Sequence, residues 1–436
     1  MFALLFASLA GIGLGGAVGP SLPLFTRSDI SIREAPAENR LQLLRNPNPR
    51  LIKANTRKAL RARRHNTPVA TETANTVFSG VYPCVNLTWG SKTPGEPGQQ
   101  IISYIDTGSS DTWAVSSQFT CADIATKTPQ LQSYCNFGNY FDPTVGIFDN
   151  ITNSTLNLEY FPEGDVLQGS MGIASITVAD LTVLDAEVAL ITYAAWDNGD
   201  GASAGLLGLG YPALTSASAG HYDPIFTKMV KQGIVTDAVF TLAVDREEIG
   251  YSPLAPAGQM AIGGLVDASY YEGSFTSVPI DTTSGFYAIT HLLVYGATSR
   301  ARPLTFGGTF LSIVDSSTGP NFVPTPSANA INALFDPPAV YNATLDYYVA
   351  PCNATVPYVA YVIGGVEMPM DPRDMLVRNL VAIEGYDDVC FSAFGDGGDA
   401  TVEDALFWIG VVWQHAYVIA YDQGNSMLHF ANRAPY

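Results

Sequence analysis

The sequence predicts an all-β protein built as two lobes on one plan, with a few short helices. Three observations carry this expectation. Beyond residue 75 the chain is a succession of short apolar runs separated by Gly, Pro, Asn, Asp and Ser, the signature of many short strands joined by turns. The composition is 47% hydrophobic with 40 Gly, 28 Pro, 22 Tyr and 21 Phe, which favours β-rich globular structure and is too apolar for a disordered chain. One pattern also occurs twice. An apolar strand ends in Asp, followed by a hydroxyl residue, a small residue and a second hydroxyl residue, in IISYIDTGSSDTWAV (101–115) and again in TFLSIVDSSTGPNFVP (309–324).

Each copy is followed, about 90–100 residues on, by an apolar run broken by Gly: AGLLGLGYP (204–212) and ALFWIGVVW (405–413). The lobes are therefore expected over residues 75–265 and 266–436. Helical periodicity is rare; it predicts one helix within 224–235 and a second within 327–335.

The residues before the first lobe differ in kind. Residues 1–19 carry no charge and are apolar and rich in small side chains, which reads as a signal peptide cut after Ala10 or Ala17, although no basic residue precedes Arg27. As a membrane anchor the same stretch would sit at the lower edge of spanning length. Residues 1–64 hold 11 of the 21 basic residues and three of the 40 acidic ones, so 65–436 keeps 10 basic and 37 acidic, a formal −27. A basic leader on an acidic body predicts a propeptide over 20–64, ending at the dibasic pair Arg63-Arg64. The acidic body should repel nucleic acid and anionic membranes, and its self-repulsion falls as carboxylates take up protons, which points to an acidic working environment.

The five cysteines are Cys84, Cys121, Cys135, Cys352 and Cys390. Sequence alone does not fix their connectivity. Pairing of neighbours would give Cys121–Cys135 and Cys352–Cys390 and leave Cys84 free. Five N-x-S/T sequons, at Asn86, Asn150, Asn153, Asn342 and Asn353, fit a glycosylated secreted protein. No CxxC pair or His cluster suggests a metal site, and no cofactor is expected.

One Asp after a strand is an ordinary turn residue. Two of them, each flanked by hydroxyls, are more specific. If the lobes face each other, Asp106 and Asp315 meet, and two close carboxylates share one proton because they cannot both ionise cheaply. The pair is then a base and an acid at once. The base takes a proton from water and the acid donates to a peptide carbonyl, with no covalent intermediate. A carboxylate-pair glycosidase would also use two acids, but the doubled motif and the lack of a sugar-stacking signature speak against it.

IDTGSSDTW resembles the N-terminal active-site signature of the pepsin-like aspartic proteases, and VDSSTG resembles its C-terminal copy. The likeness extends through GLLGLGYP, residues 258–280, the segment from Pro351 to Cys390 (which resembles the family's second-lobe disulfide loop) and residues 407–431, covering about 77–432. The secreted fungal members look most similar. The resemblance implies a bilobal fold of two pseudo-symmetric six-stranded-type β-barrel lobes and a secreted, extracellular, monomeric endopeptidase. It would take extended protein or peptide substrates and pepstatin-like inhibitors. It assigns catalysis to Asp106 and Asp315, crossed hydrogen bonds beneath them to Thr107 and Ser316, and bonds to the outer carboxylate oxygens to Ser109 and Thr318. Gly108 and Ser317 would supply motif backbone. A flap over 158–178 would carry Tyr160 at its base, hydrogen-bonded to Trp113, and Gly164 at its tip. A propeptide lysine, Lys53 or Lys58, would reach the dyad before activation.

The pattern breaks in places. Ser317 replaces a glycine of the second motif, the flap carries Pro162 and is longer than usual, Val411 stands where the family commonly has Asp, and the hairpin over 84–100 is long. These breaks support an alternative, a catalytically inactive protein of the same fold that binds peptide in its cleft.

Overall fold

The computed structural model describes residues 32–45, 82–93, 95–160, 165–196, 199–246, 256–297, 305–343, 345, 347–378, 389–401 and 405–436. The short apolar runs form strands that gather into sheets of fourteen, seven and four strands. Burial follows the side-chain period of two: in Pro83–Trp89, Val85, Leu87 and Trp89 point inward while Asn86 and Thr88 face outward. Val239–Val244 is buried at every position, as befits an interior strand covered on both faces.

The repeated pattern is a repeated piece of structure. In the first copy Gln99–Asp106 runs parallel to Gly205–Gly208, pairing Asp106 with Gly208. In the second Thr305–Val314 runs parallel to Phe407–Ile409, pairing Val314 with Ile409. The glycines breaking the apolar runs allow close approach. A Cβ on Gly208 would lie 2.4 Å from the Ser110 carbonyl carbon, and one on Gly410 would lie 2.1 Å from the Pro320 oxygen.

The expected boundary at 265/266 falls inside a shared sheet. Val239–Val244 pairs on one side with Pro256–Ile262 and on the other with Tyr417–Asp422, a closing strand of the second half. Part of the expected propeptide also belongs to this sheet. Arg40–Arg45 lies between Pro256–Ile262 and Pro83–Trp89, with Leu41 opposite Met260 and Leu44 opposite Cys84. Ala35 and Leu43 are buried, and the Arg40 guanidinium bridges Glu34 and Asp267, each at 2.9 Å. Residues 1–31 and 46–81, which include the expected signal peptide, Lys53, Lys58 and Arg63-Arg64, lie outside the described residues.

Short helices form at Ile225–Lys231, where Ile225, Phe226 and Met229 are buried, and at Thr325–Ala333, where Ala328 and Ile331 are buried. Disulfides join Cys121 to Cys135 and Cys352 to Cys390, and Cys84 is buried and unpaired. Asn86, Asn150, Asn153 and Asn353 are exposed, and Asn342 is half-buried.

Candidate active site

Both doubled Asp residues sit where a strand ends and the chain turns, and both are fully buried. The partner strand of each repeat holds the turn by its backbone. The Leu209 N–H donates to the Asp106 carbonyl at 2.8 Å, and the Asp315 N–H donates to the Ile409 carbonyl at 3.1 Å.

The turns are tied to each other beneath the carboxylates. Thr107 Oγ1 donates to the Val314 carbonyl at 3.0 Å and accepts the Ser316 N–H at 3.0 Å. Ser316 Oγ donates to the Ile105 carbonyl at 2.9 Å and accepts the Thr107 N–H at 3.2 Å. Four bonds thus cross between segments more than 200 residues apart, using both hydroxyls and both N–H groups, with no exposed member. Such a fully satisfied buried network fixes relative position.

Each carboxylate is gripped by its own turn. Asp106 Oδ1 accepts the N–H of Gly108 at 2.7 Å and of Ser109 at 3.0 Å, and the Ser109 hydroxyl donates to Oδ2. Asp315 Oδ1 accepts the Ser317 N–H at 2.9 Å, and Thr318 Oγ1 donates to Oδ2 at 2.7 Å. Ser317 is therefore no gap in the motif. Its φ stays outside the left-handed region, and its N–H makes the bond that a glycine there would make. Its side chain adds a contact that sequence reasoning missed: Ser317 Oγ lies 2.8 Å from Asp106 Oδ1 and 2.9 Å from Asp315 Oδ1.

Burial first, and the charge of Asp315 next, push Asp106 well above the usual carboxylate range, against the opposing pull of the Ser109 and Ser317 hydroxyls and the Gly108 N–H. The pair is thus driven to hold a proton where isolated carboxylates would have lost theirs.

Two more residues touch the site without a signal in the sequence. Gln414 Nε2 donates to the Asp315 carbonyl at 2.7 Å. The buried Tyr421 phenol lies beside Thr107 and Asp315, and burial pushes it well above its usual range. Both sit in the closing segment, and only tertiary folding brings them to the dyad. Val411 is buried and opens the short helix Val411–Gln414, its N–H donating to the Thr318 carbonyl at 2.7 Å.

Of the flap, the structure describes a hairpin of Asp149–Tyr160 and Asp165–Val178. Tyr160 pairs with Asp165, the last pair before the turn, whereas the foot of the hairpin lies at Asp149 and Ile173. The Tyr thus stands at the last pair of the hairpin ladder and not at its base, where Asp149 faces Ile173. Gly164, the turn and the Tyr160 side chain lie outside the described residues. Trp113 is buried at the start of Trp113–Ala122, and its Nε1 has no partner among the described residues. A third strand, Leu181–Ala195, braces the hairpin almost to its tip, pairing Ala195 with Val166.

Two pseudo-equivalent turns that join a buried pair of carboxylates define the class of aspartic-type hydrolases. The chain belongs to the eukaryotic aspartyl protease family, whose family model matches residues 91–433. It is 33% identical over 344 residues to a probable aspartic-type endopeptidase of Aspergillus fumigatus, covering 76% of this chain and 75% of that protein. Pepsin A of Sus scrofa is 25% identical over 348 residues, covering 77% and 79%. The crystal structure of an aspartic proteinase from Irpex lacteus shares the fold, with a TM-score of 0.63 at 20% identity over 81% of this chain and 95% of that one. The expected pepsin-like bilobal fold and aspartic-type endopeptidase class are borne out.

Proposed function

We propose that this protein is a secreted, glycosylated endopeptidase that cuts extended peptides at acidic pH, using a water activated between Asp106 and Asp315. The observation that carries this reading is the dyad itself: two buried carboxylates, each held by its own hydroxyl and N–H donors, tied together by four crossed hydrogen bonds. A pair holding one proton supplies a carboxylate to take the water's proton and a carboxylic acid to protonate the scissile carbonyl. The donors already in place fix both groups before substrate arrives, so little reorganisation is needed at the moment of reaction. Closure of the hairpin over 149–178 would exclude bulk water.

Secretion rests on the signal-like residues 1–19 and the two disulfides, and glycosylation on the exposed sequons. Acidic action rests on the −27 body and the raised Asp106. The alternative of an inactive binding protein rests on Ser317, but the preserved Ser317 N–H bond and ordinary backbone there support the enzyme.

The test is cleavage of denatured haemoglobin from pH 2 to 7 with and without pepstatin, alongside Asp106→Asn and Asp315→Asn. Pepstatin-blocked cleavage by the wild type, lost in both folded variants, is expected. Activity surviving in either variant would overturn the dyad assignment.

A further inference from the structure

The Ser317 hydroxyl touches both carboxylates, and simple valence constrains what it does there. A hydroxyl carries a single proton, yet Ser317 Oγ is within hydrogen-bond distance of two carboxylate oxygens, Asp106 Oδ1 at 2.8 Å and Asp315 Oδ1 at 2.9 Å. It can donate to only one of them. The other contact is a hydrogen bond only if that carboxyl group carries a proton and donates to Oγ. Both contacts are hydrogen bonds, one of them charge-assisted, only when the pair holds one proton.

We infer that Ser317 is a positioning residue that bridges the dyad and selects its singly protonated state. This deepens the endopeptidase reading and rests on it, because the singly protonated pair is the state that supplies an acid and a base together. In the doubly ionised pair one carboxylate faces a lone pair of Oγ. In the doubly protonated pair the Oγ–H loses its anionic acceptor. The first change gives up the bond from the carboxylic acid to Oγ, and the second gives up a charge-assisted one. The bridge is also a route for exchange. The proton on Asp315 passes to Oγ as the Oγ proton passes to Asp106, so one proton changes sides, the hydroxyl is restored and the pair keeps a single negative charge.

The surroundings leave this role to Ser317. The other hydroxyls of the two turns are committed elsewhere: Ser109 and Thr318 to the second oxygen of their own Asp, Thr107 and Ser316 to backbone carbonyls of the opposite repeat. Among the described residues the titratable groups shown to act on the pair are the two carboxyls themselves and, from Tyr417–Asp422, the Tyr421 phenol, which burial keeps neutral. In the first turn the equivalent position is Gly108, where a Cβ would come within 2.6 Å of Asp315 Oδ2, so only the second turn carries the bridge.

The experiment compares wild type with Ser317→Ala, which deletes the hydroxyl and keeps Cβ, and Ser317→Gly, which guards against misfolding of the alanine variant. The pH profile of kcat/KM for pepstatin-sensitive cleavage should narrow from both sides, the acid limb rising and the alkaline limb falling by about one unit each, with the loss at the optimum in kcat and not in KM. Titration of the two dyad carboxyl carbons by NMR on Asp-labelled protein, assigned by Asp106→Asn and Asp315→Asn, should show the same convergence. That measurement needs no turnover, so it decides the role of Ser317 even if the wild type cleaves nothing, whereas absent pepstatin-blocked cleavage counts against the endopeptidase reading alone. Converging limbs or converging titrations support the bridge. Limbs and titrations that stay put, or move in one direction together, overturn it, as does a variant that gains rate at unchanged limbs, which would make Ser317 an occupant of the water's place.

Discussion

Thr107→Val removes one hydroxyl at constant volume from the crossed network and tests whether the two turns act as a unit. The wild-type hydroxyl donates to the Val314 carbonyl and accepts the Ser316 N–H, both at 3.0 Å between fully buried residues. Losing the donation costs about 0.5–1.5 kcal/mol, and leaving the Ser316 N–H buried and unpaired costs about 1–3 kcal/mol, so stability should fall by ~1.5–4.5 kcal/mol. Ser316→Ala makes the mirror-image loss, at the Ile105 carbonyl and the Thr107 N–H. Once one variant has loosened the crossing, the second has less to lose, and the double mutant should fall short of additivity by about 1–2 kcal/mol. Activity should drop more steeply than stability, because a displacement of about 1 Å between reacting groups costs on the order of 10²-fold. Urea unfolding of the four proteins gives the coupling, and kcat/KM on a peptide substrate gives the catalytic cost. Effects that add to within about 0.5 kcal/mol, with kcat/KM unchanged in folded protein, would refute the claim that the crossing aligns the carboxylates.

Other expectations follow from the same contacts. Asp106 is held above its ordinary 3.8, so its stabilising contribution is complete below that pH and is lost as pH rises through the folded value; Asp106→Asn should flatten the decline of Tm toward neutrality, and an unchanged slope would count against a raised carboxyl. Asp374 has the opposite sign: burial raises it, but His415 and Arg246 outweigh burial and hold it below 3.8, so its contribution is lost on acidification, and Asp374→Asn should lower Tm less at pH 2 than at pH 6. Opening the Cys121–Cys135 and Cys352–Cys390 bridges, with separations of 14 and 38 residues, should cost about 3 and 4 kcal/mol by loop entropy, and a larger loss for the shorter loop would contradict that account. A chain beginning at residue 65 lacks the strand Arg40–Arg45; it should fold in lower yield, and a peptide of residues 32–45 should raise its Tm with dose, whereas indifference to the peptide would show that another segment fills the slot.

The doubling was legible because each half needs the same local ingredients. An apolar strand, an Asp at its end and hydroxyls two short steps away are written in adjacent residues, and so are the glycines that let Gly208 and Gly410 pass close to backbone. The helices near 225 and 325 were legible for the same reason: period and stop signal are local. What stayed hidden depends on distant residues meeting. Gln414 reaches the Asp315 carbonyl and Tyr421 packs beside Thr107 only after closing strands join the large sheet. Arg40–Arg45 looked like part of a basic leader because its charges are conspicuous, while Leu41 and Leu43, which pack it into the core, look ordinary in sequence.

Ser317 shows why symmetry read from a repeat must be checked at the atoms. In sequence it is a defect, a side chain where the first turn has glycine. At Gly108 a side chain is barred because the Asp315 carboxylate lies within 2.6 Å of where Cβ would be. At 317 the same step of the motif admits a Cβ, keeps an ordinary φ and preserves the N–H bond to Asp315. The two turns therefore approach the opposite carboxylate unequally, and that inequality is the room in which a hydroxyl fits. An inert filler of that room would be apolar; a group that must sit between two carboxylates and remain satisfied needs both a donor and an acceptor on one small atom, which serine supplies.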